Sequence, residues 1–469
     1  MGKLLKSYIM PHPPIMVHEI GKGDEIEIEN TINSALAVAE EIEDMKPQTI
    51  VILVPPHGPS FGDAMSINTD EVLEGDFSNF GARDVKFEIE NDLKLTDIIM
   101  GKCAQNGIPV APIDINISQK YRIPNKLDHG SMVPLYFVSK KYTDFKLVHI
   151  TYGMLSNEEL YKFGRLVRDA IEQSSINAVY IASGDLSHRL KLGAPAGFSP
   201  RGKEFDEKIV SLLKKPDVDG IMDMDTELVE SAGECGYRSI ITAMGTLDGV
   251  DVNGKVFSYE GPFGVGYCIA GYTPIGKNEG KDNLKRYLDK KKDKLAERRS
   301  HEDEFVKLAR ESLEYYIKKG KTMPTPDDIP DDMKRKAGVF VSLKKNGQLR
   351  GCIGTIEGVQ QNIAEEIIEN AISAGTRDPR FYPVEKDELD DLVYSVDVLG
   401  KSEPVSSREE LDASKYGVIV RSDWRSGLLL PNLEGVDTVD EQISIALKKA
   451  GIDEDEDYSI ERFEVVRHK

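Results

Sequence analysis

The chain has no long hydrophobic run and no close pair of cysteines. None of its apolar segments approaches the roughly 18 residues that a membrane-spanning helix requires. The N-terminal sequence MGKLLKSYIMPHPP has neither the apolar core of a signal peptide nor a myristoylation pattern, so we expect no leader and no lipid anchor. We therefore expect a cytoplasmic protein that does not interact with a membrane. The cysteines fit neither a disulfide framework nor a zinc or iron–sulfur spacing; they are Cys103, Cys235, Cys268 and Cys352.

Positive charge is scarce as well. The 469 residues include 60 Lys and Arg against 81 Asp and Glu, which gives a formal net charge of −21. Because a nucleic-acid groove needs a basic surface to neutralise phosphates, we expect no nucleic-acid partner. An acidic chain is compatible with the binding of metal cations. The length exceeds that of a single compact domain and predicts two or three domains.

Residues 1–275 alternate between strand-like and helix-like segments. TIVILV (49–54) is a continuous apolar run, and FKLVHITYG and NAVYIASGDLSH repeat the pattern of apolar residues followed by a polar loop. Helical periodicity lies between them, as in NEELYKFGRLVRDAIEQ, and KVFSYEGPFGVGYCIAGYTP (255–274) suits a late β-hairpin. The alternation predicts an α/β domain with a mainly parallel sheet flanked by helices. Ligands of such sheets lie beyond the carboxyl ends of the strands.

The composition changes after residue 275. Residues 276–301 are strongly charged and poor in apolar residues, which predicts a solvated linker that is partly helical. Residues 302–469 begin with the amphipathic segment EDEFVKLARESLEYYIKKG, for which Gly320 is a suitable stop. A β-hairpin with an Asn346-Gly347 turn, the helix NIAEEIIENAISAG and the strand LVYSVDVL follow. These segments predict a separate α+β domain.

Four of the eight histidines lie in loops rich in Gly, Pro, Asp or Ser: His12, His57, His129 and His188. Neutral imidazole is the commonest metal ligand in proteins. His12 and His57 each follow an apolar run, so both can reach the carboxyl edge of the sheet, and flanking prolines restrict their backbones. Two histidines and one carboxylate form the facial triad of non-haem ferrous sites. We therefore expect His12 and His57 to bind a metal ion. His149, in the middle of a strand, is expected to be a core residue.

The third ligand has two candidates in ESAGECGYRSI. Glu234 would complete a ferrous triad, whereas the Cys235 thiolate would favour a softer metal such as copper or zinc. The same segment can also be only a turn that enters a helix. His129 and His188 are then candidate acid and base groups for a substrate hydroxyl, with Asp185 placed to orient His188.

The segments MPHPP, PPHGP, LDHGSMVPL and GDLSHRL, in this order, resemble the LigB-like class III extradiol ring-cleavage dioxygenases over roughly residues 1–275. The resemblance implies ferrous iron held by His12, His57 and Glu234, with His188 as the acid and base. The same region also resembles the Memo family, for which PPHGP, LDHGSMVPL and ECGYRS imply a metal site of His57, His129 and Cys235. Two overlapping ligand sets therefore remain.

The second domain resembles the AMMECR-type domain over roughly residues 302–469, through QLRGCIGT, SAGTRDPRFYPV and GLLLPNLEG. Glycines flank Arg350 and Cys352, so that a ligand can approach the backbone closely. Arg377, Asp378 and Arg380 form a loop that can receive an anion. These five residues are the candidate ligand-binding group of this domain. The alternative for Cys352 is a buried structural cysteine in a tight hairpin.

A LigB-like or Memo-like domain fused to an AMMECR-type domain resembles the AmmeMemoRadiSam system, which implies a separate radical SAM protein as partner. Two functions are consistent with these features. The first is a ferrous-iron-dependent oxidoreductase of the extradiol dioxygenase type, acting on a small phenolic or catecholic substrate. The second is a metal-binding accessory protein that works with the radical SAM enzyme, with copper or another divalent metal as the alternative to iron.

Overall fold

The computed structural model of the protein describes residues 1–345, 348–433 and 435–469. The chain forms two compact units, Met1–Lys290 and Lys291–Lys469. The strands of the first unit are β1 (Lys3–Met10), β2 (Thr49–Val54), β3 (Met65–Asn68), β4 (Val72–Phe77), β5 (Ala82–Glu90), β6 (Val110–Ile113), β7 (Lys146–Thr151), β8 (Asn177–Ser183), β9 (Val250–Glu260) and β10 (Tyr267–Lys277).

Eight of these strands form one mixed sheet in the order β6-β3-β7-β2-β8-β1-β10-β9, and β4 pairs with β5 separately. The central strands β7, β2, β8 and β1 are parallel neighbours. Antiparallel pairing joins β3 to β7, β10 to β1 and β9 to β10. The α/β class is confirmed, with the parallel strands at the centre and the predicted late hairpin at one edge. The connection between β9 and β10 is short, and a short connection permits only antiparallel pairing.

Helices cover both faces of this sheet. The helices are α1 (His18–Gly21), α2 (Glu29–Met45), α3 (Leu93–Gln105), α4 (Ile115–Tyr121), α5 (His129–Ser139), α6 (Asn157–Gln173), α7 (Pro200–Leu213), α8 (Val218–Met222), α9 (Thr226–Ala232) and α10 (Tyr237–Thr246). Alternate residues of β2 point to opposite faces: Val51 and Leu53 pack in the cluster with α3, α6 and α10, whereas Ile50 and Ile52 pack in the cluster with α2 and α5.

The segment predicted as a linker, residues 276–301, contains the end of β10 and the helix α11 (Asn283–Ser300). Leu284 is the buried residue of this helix, so the charged run is a solvated helix rather than part of a core. The boundary between the two units falls inside it, between residues 290 and 291. Across the described residues, no helix combines the length and the apolar character that crossing a bilayer requires.

The elements of the second unit are α12 (Glu304–Lys319), β11 (Val339–Lys345), β12 (Gln348–Gly354), α13 (Ile363–Thr376), β13 (Leu392–Leu399), β14 (Glu403–Pro404), β15 (Gly417–Ser422), β16 (Arg425–Leu429), α14 (Val439–Ala450), β17 (Ser459–Phe463) and β18 (Val465–His468). In the part of this unit that the structure describes, the strands form two antiparallel sheets, in the orders β12-β11-β13-β18 and β14-β17-β15-β16, and the α+β class is confirmed. The helix α12 ends before Gly320, whose φ of 70° is the left-handed conformation expected there. The Asn346-Gly347 turn lies outside the described residues.

Candidate metal centre

Three histidines meet at the carboxyl edge of the parallel strands β1 and β2, which flank β8. His12 follows β1, His57 follows β2, and His129 is the first residue of α5. Their ring centroids are 4.8 Å apart for His12 and His57, 5.3 Å for His12 and His129, and 4.0 Å for His57 and His129. One ligand atom from each lies within 4.8 Å of the other two. Nitrogens that share one ion at about 2.0–2.1 Å are separated by roughly 3–4 Å, so the group fits a metal ion after small side-chain adjustments.

Hydrogen bonds fix the tautomer of His12. Its Nδ1 lies 2.9 Å from Ser183 Oγ, and that hydroxyl donates to the Gly130 carbonyl at 2.5 Å. Because the single hydroxyl proton is used there, Ser183 must accept from Nδ1–H of His12. The lone pair of His12 is therefore on Nε2, where it is available to a metal ion.

Asp128 fixes His57 in the same way. His57 Nδ1 donates to Asp128 Oδ2 at 2.7 Å, which leaves Nε2 as the free ligand atom. Asp128 is also the N-cap of α5, and its Oδ1 accepts from the amide and the hydroxyl of Ser131. Burial opposes ionisation of Asp128, but the hydrogen bond and charge of His57 outweigh it and hold the pKa of Asp128 far below its usual range. A carboxylate behind a ligand histidine is typical of protein metal centres.

Close backbone approaches shape the centre. A Cβ at Gly130 would lie 2.7 Å from His57 Cε1, so the glycine after His129 makes room for the other imidazole. A Cβ at Gly184 would lie 2.3 Å from Gly236 Cα, and the two glycines let the loop after β8 contact the segment that carries Cys235. Glycine is therefore required at Gly130, Gly184 and Gly236, because a side chain would collide with a neighbouring residue.

Burial disfavours the charged form of two imidazoles of the cluster, His12 and His129. Burial lowers the pKa of His12 well below its usual value, and the neighbouring His57 and His129 lower it further. Burial and His57 lower the pKa of His129 to about 4. Its position at the N-terminus of α5 also disfavours a positive charge. Neutral imidazoles are a donor set suited to a cation.

The two candidates for the further ligand differ in position. Cys235 Sγ lies 3.6 Å from His12 Nε2 and 3.8 Å from His188 Nε2, and it accepts a hydrogen bond from the Asp185 amide. Glu234 Oε2 instead accepts from the Tyr237 amide at the start of α10, at 2.5 Å. Among the described residues, the group of three convergent ligand atoms includes neither Glu234 nor Cys235. Cys235 is therefore the candidate that directly adjoins the histidine cluster.

His188 and Asp185 lie beside the cluster. The Asp185 carboxylate accepts from the backbone amide of His12 at 2.9 Å, whereas its nearest approach to His188 Nε2 is 3.9 Å. Its hydrogen bond thus positions the His12 backbone rather than the His188 ring. Burial raises the pKa of Asp185 to about 7. His188 is partly exposed, with 27% of its side chain accessible.

The residues predicted in the second unit separate into two groups. Arg350 is occupied by Glu388, at 3.1 and 2.9 Å, and by the Tyr382 carbonyl. Asp378 joins the other group: it accepts from the Cys352 amide and binds Arg380 at 2.9 and 2.7 Å. Cys352 Sγ also accepts from the Ser342 hydroxyl. The side chain of Arg377 is exposed, and its backbone amide donates to the Ser373 carbonyl.

Three contributors were missed in the sequence: Asp128, Ser183 and Lys449. Asp128 could have been predicted as a helix N-cap, because Asp is typical of the position that precedes a helical segment. Ser183 could not have been predicted, since a serine that ends a buried strand has no distinctive pattern. Burial lowers the pKa of Lys449, which also interacts with Cys352 and Arg380. Lys449 comes close to Cys352 and Arg380 through the packing of α14, so the local sequence could not predict this contact.

Comparison with known proteins identifies both parts of the chain. The model of the catalytic LigB subunit of aromatic ring-opening dioxygenase matches residues 6–270. The chain belongs to the LigB family. The AMMECR1 model matches residues 306–468. This LigB-family protein is therefore a fusion of a LigB domain with an AMMECR1 domain.

Some relatives match nearly the whole chain, and others match only a part of it. A protein of Clostridium acetobutylicum is 49% identical over 464 residues, which cover 98% of each chain. A protein of Thermotoga maritima is 53% identical over 171 residues, which are 36% of this chain and 98% of that one. The crystal structure of a Pyrococcus horikoshii protein is 34% identical, with a TM-score of 0.33, and covers 35% of this chain and 88% of that chain.

Proposed function

We propose that the LigB domain is a ferrous-iron-dependent oxidoreductase of the extradiol dioxygenase type, with a small phenolic or catecholic substrate. The observation that carries the proposal is the convergence of His12, His57 and His129. Two of these imidazoles have tautomers that leave Nε2 available to a metal. LigB-family membership of the same residues supports the reaction type.

The side chains around the metal centre have different roles in this proposal. A ferrous ion supplies Lewis-acid and one-electron chemistry when it is bound. Because His129 lies within the cluster, His188 is the imidazole left to take a proton from a substrate hydroxyl. Asp185 positions the His12 backbone.

The test is the metal content of anaerobically purified protein, wild type beside His12→Ala, Glu234→Ala and Cys235→Ala, with oxygen uptake on catechol. Iron that is lost with His12 and retained with Cys235, together with catechol-dependent oxygen uptake, supports the dioxygenase. The retention of iron in Glu234→Ala would exclude Glu234 from the ligand set. Catechol turnover without bound metal would refute the proposal.

The second candidate is a metal-binding accessory protein that works with a radical SAM enzyme. The position of the Cys235 thiol, 3.6 Å from His12 Nε2, favours it because a thiolate selects a softer metal such as copper. In this role the group of Cys352, Asp378 and Arg380 would bind an anionic ligand in the AMMECR1 domain. Copper that binds wild type but not Cys235→Ala, and a radical SAM protein that co-purifies, would support it.

A further inference from the structure

A pocket of the first unit lies at the opposite edge of the sheet from the metal centre. Its walls come from α6, from the turn between α10 and β9, and from the end of β10, where Lys277 pairs with Val250. Because β10 runs antiparallel to β1, this end of β10 lies beside the start of β1, whereas His12 follows the end of β1. The empty space is about 930 Å³ and is open to solvent. A ligand of this pocket would therefore bind away from the metal centre.

Charged side chains form most of the wall of this pocket. Among the described residues, three basic and four acidic side chains line it. Two of the acids share Arg165, whose Nη1 lies 3.1 Å from Asp248 Oδ2 and 3.3 Å from Asp282 Oδ1. Asp248 is further fixed by the Tyr161 hydroxyl and the Asn283 amide, which both donate to it. One guanidinium thus faces two carboxylates, so this end of the pocket has an excess of one negative charge.

The other end contains an arginine whose hydrogen-bonding capacity is not filled. Arg168 is 9% exposed, and it donates from Nη1 to the Asp248 carbonyl and from Nη2 to Asp169 at 3.3 Å. Within the described part of the chain, its buried Nε has no hydrogen-bond partner. The Glu172 carboxylate lies beside it, but Oε1 is 3.8 Å from Nε, which is too far for a hydrogen bond. Buried polar groups are normally paired, so an unpaired one in the wall of a pocket points to a ligand.

The side chain of Glu172 is held loosely between two cations. Its carboxylate oxygens lie 3.8 Å from Arg168 Nε and 3.5 Å from Lys277 Nζ, and 27% of the Glu172 side chain is exposed. The Lys277 side chain is 77% exposed. Long ion pairs at the surface contribute little free energy. A rotation of Glu172 therefore costs little, and it opens the Nε–H of Arg168 to a molecule in the pocket.

The charges at this end restrict the class of ligand. A simple anion that replaced Glu172 beside Arg168 would leave the Glu172 carboxylate without a cation. A simple cation would be repelled by Arg168 and Lys277. Both cases leave a partly buried charge unpaired, which costs free energy. A zwitterion avoids both costs, because its carboxylate replaces that of Glu172 at Arg168 while its ammonium group pairs with the displaced Glu172.

We propose that this pocket binds a free α-amino acid with a basic side chain. The carboxylate of the ligand accepts from Arg168 Nε and pairs with Lys277, and its α-ammonium group pairs with Glu172. The cation of its side chain lies at the other end of the pocket, where negative charge is in excess. The inference is independent of the function proposed for the metal centre.

Calorimetric titration of three probes into the full-length protein tests the class of ligand. L-lysine carries all three charged groups, Nα-acetyl-L-lysine lacks the α-ammonium charge, and L-lysinamide lacks the carboxylate. We expect L-lysine to bind about tenfold more tightly than either derivative. General attraction to a chain of net charge −21 would instead favour L-lysinamide, because it is the most positively charged of the three probes.

Substitutions in the wall test the contacts one by one. Arg168→Lys keeps the positive charge but lacks Nε–H, and it should weaken L-lysine binding by about tenfold. Lys277→Gln should weaken it by about threefold. The matched control is Lys203→Gln in α7, because Lys203 is 75% exposed and lies 3.7 Å from Glu207, and this variant should bind L-lysine as wild type does.

Glu172→Gln tests the exchange of carboxylates. The neutral amide offers no charge to the α-ammonium group, so L-lysine should bind about tenfold more weakly than to wild type. Nα-acetyl-L-lysine should bind more tightly than to wild type, because it no longer displaces a charged side chain. The preference for L-lysine over this derivative should therefore disappear. Thermal unfolding checks that each variant is folded.

L-lysine that does not bind wild type with a Kd below about 10 mM would overturn the proposal and leave the pocket to water. Equal or tighter binding of either derivative to wild type would overturn it as well. The same holds if Lys203→Gln weakens binding as much as Lys277→Gln does. These titrations do not depend on bound metal, so their failure is distinguishable from a failure of the iron-dependent oxidoreductase proposal, which is read from iron content and oxygen uptake.

Discussion

At the scale of single residues, the groups behind the imidazoles determine which ring nitrogen is available to a metal ion. Nδ1 of His12 donates a hydrogen bond to Ser183, and Nδ1 of His57 donates one to Asp128. In each case the remaining lone pair is on Nε2. The partners thus define the centre as much as the histidines do, and their substitution should change metal affinity.

Substitution of Asp128 separates its two roles. Asp128→Ala removes the partner of His57 and the N-cap of α5, whereas Asp128→Asn keeps a capping oxygen. We expect the alanine variant to lose about 10–100-fold in metal affinity and about 1 kcal/mol of unfolding free energy. We expect the asparagine variant to keep most of the stability. Chelator competition and urea unfolding measure the two quantities. Equal metal affinity in all three proteins would contradict a role of Asp128 in holding His57.

Gly130 should tolerate no side chain. A Cβ there would lie 2.7 Å from His57 Cε1, so Gly130→Ala must displace the ligand ring and should reduce metal content severalfold. Gly101→Ala is the matched control, since it lies in α3 with no atom within 4 Å of its Cβ and should stabilise the helix by about 0.5–1 kcal/mol. Metal analysis and thermal unfolding distinguish them. A metal-replete Gly130→Ala protein would show that His57 is not held where the structure has it.

At the scale of elements, local patterns predicted much of the fold. β2 coincides with the apolar run TIVILV, and α6 begins at the capping box of Ser156 and Glu159 and covers the predicted segment. The strand-end positions of His12 and His57 followed from the same patterns. The entry of His129 into the cluster did not, because it depends on how α5 packs across the strand ends. The hydrogen bond that Glu234 accepts from the Tyr237 amide was not predicted either, and Glu234 as a metal ligand stays a prediction.

The contact between β12 and the turn of residues 385–391 should depend on pH. Burial opposes ionisation of Glu388, but hydrogen bonds from Arg350 and Lys345 outweigh it and lower the pKa of Glu388 to about 2. A lowered carboxyl pKa stabilises the fold above the unfolded value near 4.5, and this contribution is lost as the pH falls toward 2. Solvent screening limits the effect to about 1 kcal/mol.

Glu388→Gln tests this contact, because the neutral amide does not titrate. Between pH 4.5 and 2, unfolding free energy from urea titrations should fall less steeply in the variant than in wild type. At pH 7 the variant should be the less stable protein. Parallel pH profiles in the two proteins would show that Glu388 has the same pKa in the folded and the unfolded chain.

At the scale of the whole molecule, each unit has its own hydrophobic core. The first unit buries two clusters, one on each face of its sheet, and the second buries others around α12, α13 and α14. The family matches follow the same division, with LigB at residues 6–270 and AMMECR1 at 306–468. The residues between the matches include α11, which has little apolar contact with either core.

Trypsin should therefore cut the native chain first in α11. The helix is rich in Lys and Arg, and Leu284 is its buried residue, so local opening costs little free energy. Ion pairs such as Arg286 with Asp219 lie at the surface and add little. We expect two fragments that begin and end near residues 283–300, each with a cooperative unfolding transition. The control is α12, which also contains Lys and Arg but buries Val306, Leu308 and Leu313 and should resist. Early cleavage in α12, or a fragment that unfolds once it is released, would show that the cores do not sustain the two units separately.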